Sequence, residues 1–152
     1  MRKIISIVMF LCLLTGILFL VQKEEVNKIK QEEVIKQILI SINNRDLIVN
    51  LEKNTSAEEL YKKLKDNHVT IEAEDYGNFE KVGELGFELP KNDTFFTTKP
   101  GDLVLYEGNK ITLYYDTNSY KFTKLGHVIN FEGMDLKDFL GEGPVKMILS
   151  RK

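Results

Sequence analysis

From Gln37 to Leu149 the chain is cut into short runs that alternate apolar and polar residues, and nearly every run ends on Gly, Asn, Pro or Asp. Alternation with a period of two places apolar side chains on one face of a strand and polar ones on the other. Runs of that length, punctuated so often, cannot build long helices or a parallel sheet with helical crossovers. They build hairpins. "QILISINN" and "DLIVNLE" are two such runs around Asn43-Asn44-Arg45, where asparagine tolerates the positive φ of a tight turn. "HVTIEAED" sets Val69, Ile71 and Ala73 against Thr70, Glu72 and Glu74. In "GDLVLYEGNKITLYYDT", Leu103 and Leu105 alternate with Asp102, Val104 and Tyr106; Gly108-Asn109 supplies the turn and Ile111 to Tyr115 returns. "SYKFTKLGHVIN" alternates through Tyr120 and Phe122 and less cleanly at Leu125, and "PVKMILS" ends the pattern with Val145, Met147 and Leu149 on one side.

Two segments break the alternation. "NTSAEELYKKLKDN" reads as a helix, with Thr55 and Glu58 spaced as a capping box and Leu60 and Leu64 on one face. "GMDLKDFLGEG" reads as a short helix stopped by Gly141. Between them, Gly83 and Gly86 bracket Leu85. No Lys-Ser/Thr and no helix follows, so a phosphate loop is a poor fit, and bulges or tight bends at a barrel corner fit better. Pro100-Gly101 in "TTKPGD" suits a type II turn. "TFFTT" at Thr94–Thr98 reads as a loop with two consecutive phenylalanines, at least one partly exposed. The sum is a mainly β domain, a closed β-barrel of about eight strands with two short capping helices.

The first part of the chain is of another kind. Met1, Arg2 and Lys3 precede "IISIVMFLCLLTGILFLV", a stretch from Ile4 to Val21 without a charge. At a helical rise of about 1.5 Å its length approaches a bilayer core of about 30 Å. The stretch ends "LFLVQKEE" without a small-x-small cleavage site, which favours a retained transmembrane helix over a cleaved secretory signal. Cys12 lies mid-stretch after "MFL", not after the small residues a lipoprotein would show. The basic head and the lack of a second span place the remainder outside the cytoplasm, anchored to the membrane, or secreted if the segment is cleaved. Gln22 to Gln37 is charged, lacks Gly and Pro, and carries Glu24–Lys28 and Glu32–Lys36 as i,i+4 pairs. The division expected is therefore an anchor or signal at 1–21, a helical stalk at 22–36 and a barrel domain at 37–152.

Charge and residue inventory narrow the function. Without Arg2 and Lys3 the chain keeps 19 basic against 23 acidic residues, a poor match for nucleic acid. The single cysteine, Cys12, lies in the apolar stretch, so the domain has neither disulfide framework nor cysteine metal site. Glu72 and Glu74 point the same way, as a paired acid/base site would need and as any wet sheet face also shows. With Asp75 they make a weak case for a metal, and neither metal nor cofactor is expected. His68 reads as a solvated loop residue. His127 reads first as a hydrogen-bonded structural histidine on a strand and second as a general base.

Glu80-Lys81, Gly83, Leu85, Phe87 and Leu89-Pro90, followed by "PGDLVLY", "ITLYY" and "FTKLGHV", resemble the cyclophilin-like family of small bacterial proteins, from about Lys36 to Arg151. "GHVINFEGMDLKDF" is also similar to a stretch of true cyclophilins. The resemblance implies a compact eight-stranded barrel closed by helices. It also raises prolyl isomerisation, whose amide barrier is about 18–20 kcal/mol. True cyclophilins aim an arginine at the prolyl nitrogen beside an apolar pocket. Here the arginines are Arg2, which flanks the anchor, Arg45, which reads as a hairpin-turn residue, and Arg151, next to the C-terminus, none on a central strand; there is no Trp, and neither "FHR" nor "QGGD" occurs. The isomerase residues therefore do not map onto this chain, and a shared barrel does not carry a shared site.

The aromatics remain. An exposed Tyr/Phe groove would hold an extended or proline-containing peptide. The candidate peptide-binding residues are Phe87, Phe95, Phe96, Tyr106, Tyr115, Phe122 and His127. The expected role is a peptide- or protein-binding accessory module without the isomerase residues, and the alternative is an isomerase or foldase acting on exported proteins. Oligomeric state is not legible.

Overall fold

The computed structural model describes residues Ile35–Lys152, which form one compact unit. The uncharged stretch and nearly all of the stalk lie outside the described residues. Among the described residues no helix is long and apolar enough to cross a membrane.

Among the described residues there are nine strands: β1 (Gln37–Ile42), β2 (Arg45–Leu51), β3 (Val69–Tyr76), β4 (Glu80–Glu84), β5 (Thr94–Thr97), β6 (Asp102–Tyr106), β7 (Lys110–Tyr114), β8 (Ser119–Val128) and β9 (Val145–Arg151). Helix α1 (Thr55–Lys63) follows β2, and α2 (Leu136–Leu140) precedes β9. Eight strands pair antiparallel in the order β2-β1-β9-β3-β4-β7-β6-β8, and β2 pairs back onto β8 to close the barrel. Closure leaves none of these eight with an open edge. β5 is the additional strand, joined to the first half of β8.

Inward-facing positions supply the core: Ile38, Ile40 and Ile42; Leu47 and Val49; Ile71 and Ala73; Leu103 and Leu105; Ile111 and Leu113; Val145, Met147 and Leu149. The helices close opposite ends of the β1–β2 hairpin. Glu58 of α1 pairs with Lys36, and Leu51 N–H donates to Lys36 O at 2.9 Å at that end. At the other end Asn43 Nδ2 donates to Phe139 O at 3.3 Å. Asn43 and Asn44 adopt φ of 50° and 61°, as a two-residue hairpin turn of the right twist requires. Gly101, at φ 91°, sits at the third position of the turn in which Asp102 N–H donates to Lys99 O at 3.0 Å.

Several sequence expectations are corrected. The helix cap is Asn54, whose Oδ1 accepts from Ala57 N–H at 2.9 Å, and Thr55 is already helical, its hydroxyl donating to Asn92 Oδ1 at 2.7 Å. The β6–β7 turn takes its positive φ at Glu107 and Gly108, not at Gly108 and Asn109, and Glu107 is held by Lys110 at 2.6 Å. Gly83 makes no bulge. It is a regular β4 residue opposite Ile111, and a Cβ there would lie 2.4 Å from Ile71 Cγ2 and 2.7 Å from Glu72 O, so it permits close approach of β3. "TFFT" is strand β5 and not a loop, because Thr94 to Thr97 pair in register with Phe122 to Ser119. Arg45 and Arg151 are both strand residues, seated over the rings of Phe139 and Tyr61.

The imperfect alternation at Leu125 has a cause. Leu103 pairs with Gly126 and Val104 with Lys124, so β8 carries one extra residue there. This bulge bends β8. Its second half completes the barrel, while Ser119–Phe122 and β5 lie as a flap across the outer face of β6 and β7. Val104, Tyr114 and Phe122 form a second small core beneath the flap, with Phe79, Phe96 and Tyr106 packed against it. This explains why β6 is buried on both faces.

Candidate functional site

The outer face of β3, β4, β7 and β6 and the inner face of the flap enclose a groove of about 790 Å³. Register explains its lining. Tyr76 lies opposite Glu80, and Glu80 opposite Tyr114. Glu74, Val82, Thr112 and Val104 form the next row across the four strands. Glu84, Lys110 and Tyr106 form the third. Tyr120 and Phe122 of the flap face these rows. The Phe122 ring centroid is 6.2 Å from Tyr106 and 5.8 Å from Tyr114, and Tyr120 stands 6.5 Å from Tyr106. Phe79 stacks parallel on Tyr114 from the other side at 6.1 Å.

At the base of the groove Glu80 is 6% exposed and Tyr114 is fully buried. Glu80 Oε2 and the Tyr114 hydroxyl are both closed to solvent, and the two groups face one another, the hydroxyl as the donor nearest the carboxylate. Burial pushes the Glu80 carboxyl up, against a smaller downward pull from Tyr114. Burial and the nearby Glu80 push the Tyr114 hydroxyl far up. At the rim, the Glu107 carboxylate and then burial raise Tyr106. The groove is thus aromatic on its flap side and acidic on its β3–β4 side.

The candidate residues named from sequence are distributed unevenly around this site. Tyr106 and Phe122 line the groove. Phe96 packs behind Phe122 at 5.9 Å, and Phe95, on the opposite face of the flap, is 69% exposed. Phe87 packs against the barrel core beneath the Lys63 ammonium. Tyr115 is buried, with its hydroxyl donating to Asp75 Oδ1 at 3.0 Å. Burial and then the Asp75 carboxylate push it up to about 12.

His127 belongs to a separate cluster on β6 and β8. Its Nδ1 lies 2.8 Å from Asp102 Oδ1, and the Lys124 ammonium lies 2.9 Å from the same oxygen. Asp102 is 1% exposed, and its other oxygen accepts from Lys99 N–H at 3.1 Å. An aspartate can orient an imidazole for base chemistry. Here the Asp102 carboxylate is shared with a lysine, and among the described residues no hydroxyl or thiol hydrogen-bonds the ring, so the arrangement serves first to satisfy a buried acid. Among the described residues no three of His, Cys, Asp and Glu converge as a metal site.

Glu80 and Tyr114 were not among the site residues named from sequence, because nothing local marks the face they occupy as covered. The flap that buries them is created by the bulge in β8.

The model of the cyclophilin-like family matches residues 40–150. Among solved structures the chain is similar to a hypothetical protein from Archaeoglobus fulgidus determined in solution. The TM-score is 0.58 at 14% identity, over 80% of this chain and 98% of that one, a likeness of fold. No curated protein matches in sequence. With its barrel closed through β2 and β8 and a match that spans most of its length, the chain belongs to the cyclophilin-like family.

Proposed function

We propose that the domain is a binding module that holds an extended peptide segment in the groove between the flap and β3–β4, and that the N-terminal segment tethers it to a membrane on the extracytoplasmic side. The observation that supports this most is the groove itself. Its volume lies in the range that small-molecule and peptide side-chain sites occupy, with aromatic walls and a few polar groups that fix orientation. β4 and β7, its floor, are paired on both edges, so recognition runs through side chains and not through an added strand. Arg45 and Arg151 are engaged with Phe139 and Tyr61 and neither lines the groove, which is why binding is proposed in preference to isomerisation.

The test uses the full-length protein in detergent micelles and a panel of fluorescent extended peptides, with and without proline, read by anisotropy. Saturable binding is expected, and Val82→Trp, which fills the groove floor, is expected to abolish it. Binding that survives Val82→Trp would place the ligand elsewhere. A prolyl-isomerisation assay on the same protein is expected to show the uncatalysed rate, and clear acceleration would replace the binding role with an enzymatic one.

A further inference from the structure

Among the described residues β5 pairs with β8 alone, so its other edge carries no strand. The register shows which groups that edge offers. Thr98 N–H donates to Asn118 O at 2.8 Å, in step with the pairing of Phe96 with Tyr120 and of Thr94 with Phe122. Backbone groups alternate along an antiparallel ladder, so Thr94, Phe96 and Thr98 turn theirs to β8, and Phe95 and Thr97 turn theirs to the open edge. The groove takes Tyr120 and Phe122 from β8 and nothing from β5, so this edge lies away from it.

Natural edge strands are blunted by a lysine, a proline or a bulge. Thr94–Thr97 has none of these: two phenylalanines stand between two threonines, and Phe95 is 69% exposed. The charges lie just outside it and differ in sign. Asp93 precedes and Lys99 follows, each three residues from Phe96 and both exposed. Such a segment is self-complementary. A second copy laid antiparallel, with Phe96 opposite Phe96, sets Asp93 of each copy against Lys99 of the other. The same register brings Phe95 opposite Thr97, the two residues whose backbone groups are open, and closes four N–H···O bonds. The two Phe95 rings then lie diagonally across the dyad on the outer face, within reach of one another. Centring the pair on Phe95 sets Lys91 against Lys99, a like-charge pair. Centring it on Thr97 carries Asp93 past Lys99 to Gly101. Asp93 Oδ1 accepts from the Thr123 hydroxyl at 2.6 Å, and a carboxylate keeps acceptor sites for a lysine besides.

We propose that β5 is a dimerisation edge, at which a second copy of this chain adds its own β5 antiparallel about Phe96. A four-residue edge lies at the small end of specific interfaces, so the dimer is weak and reversible. Edge and groove are separate, and the dimer forms whatever the groove holds.

The experiment is sedimentation of the full-length protein in density-matched detergent micelles over a range of protein concentrations. A concentration-dependent dimer is expected. Thr97→Pro removes the N–H at the open edge and no β5–β8 backbone bond, and should weaken the dimer about thirtyfold, because two of its four backbone bonds are lost. Thr97→Val loses the same hydroxyl contact to Ser119 but keeps the N–H, and should dimerise like the parent. Lys99→Asp should weaken the dimer about tenfold, as two attractive pairs become repulsive. Asp93→Lys added to Lys99→Asp should restore association. Excess peptide with the sequence of residues 92–99 should dissociate the parent dimer. A monomer at every concentration would overturn the inference. So would a dimer that Thr97→Pro and Thr97→Val affect equally, since its contact would lie elsewhere in the chain, or one that the double charge variant does not restore. Equal dissociation by a scrambled peptide would overturn the selection of a second copy and leave an edge open to any strand.

Discussion

Asp75 and Lys81 stand opposite each other across the β3–β4 register, and the fully buried Lys81 ammonium lies 2.7 Å from Asp75 Oδ1. Lys81 occupies an inward position, level with Leu113, and enters the barrel near α2. There it also donates to Gly141 O at 2.7 Å and Gly143 O at 2.6 Å. Asp75 in turn accepts from Tyr115 and, at 2.8 Å, from Gly143 N–H. One ion pair thereby fastens the loop between α2 and β9 to the barrel wall.

Removing one partner should cost more than removing both. Asp75→Asn leaves the Lys81 ammonium buried with only carbonyl partners and should destabilise the domain by about 2 kcal/mol, less than a fully enclosed pair because water reaches Asp75. The double variant with Lys81→Met should recover part of that loss, a coupling that chemical denaturation of the four proteins measures. Purely additive losses would show that the pair does not act as a unit. The pH dependence has a definite sign. Burial raises the Asp75 carboxyl, but the bonds from Lys81, Gly143 and Tyr115 outweigh it and hold the group below its usual value. The folded state then binds fewer protons than the unfolded chain in that window. The contribution is present above the ordinary aspartate range and is lost as pH falls through the lowered value.

Asn54 should prove more important than Thr55, although the capping-box spacing points to Thr55. Asn54 Oδ1 caps α1, and its Nδ2 donates to Lys124 O at 2.8 Å, tying the helix to β8. Asn54→Ala should cost about 2 kcal/mol, the sum of a lost cap and a lost hydrogen bond. Asn54→Asp keeps the cap and should cost less than half as much. Thr55→Ala should change the unfolding midpoint little, and a loss equal to that of Asn54→Ala would return the cap to Thr55.

What the sequence disclosed and what it hid divide along physical lines. Alternation is local, so Ile38, Ile40, Leu103, Leu105, Met147 and Leu149 were legible as barrel interior, and Asn43-Asn44 as a turn. Gly101 and Gly141 were legible as breaks. Lys81 was hidden, since a lysine on the apolar face contradicts the pattern, and its partners Asp75, Gly141 and Gly143 come from distant segments. Glu80 and Tyr114 were hidden because the covering flap depends on one inserted residue in β8 and on β5, which reads as a loop when taken alone. Tyr106 and Phe122 were reached through their residue type, and Tyr76 and Tyr120 carried the same signal without being placed in the site.

The flap should come away before the barrel does. β5 has a single strand partner, and Phe122 packs the flap onto the wall through Tyr106 and Tyr114 while Phe96 of β5 rests against Phe122. Phe122→Ala should remove about 3 kcal/mol of packing. Because the barrel core does not contain Phe122, the loss should appear as local opening. Hydrogen exchange should show Thr94–Thr97 amides losing protection while those of β1, β2 and β9 keep theirs. Uniform loss across all nine strands would show that flap and barrel form one cooperative unit.

Glu80→Gln should stabilise the protein at neutral pH. Burial holds the Glu80 carboxyl above its ordinary value, so the folded state retains the proton longer than the unfolded chain does. Between the ordinary glutamate value and the raised one, stability therefore falls as pH rises. The groups that face Glu80 are Tyr76 on β3 and Tyr114 on β7, with Tyr115 close enough to be felt. Tyr114 and Tyr115 are pushed up, away from this window, and Asp75 is held below it beside Lys81. Gln cannot ionise. The variant should match the parent in acid and exceed it in thermal midpoint at pH 7. A variant less stable than the parent at pH 7 would show that the Tyr114 hydroxyl favours the ionised carboxylate by more than burial disfavours it.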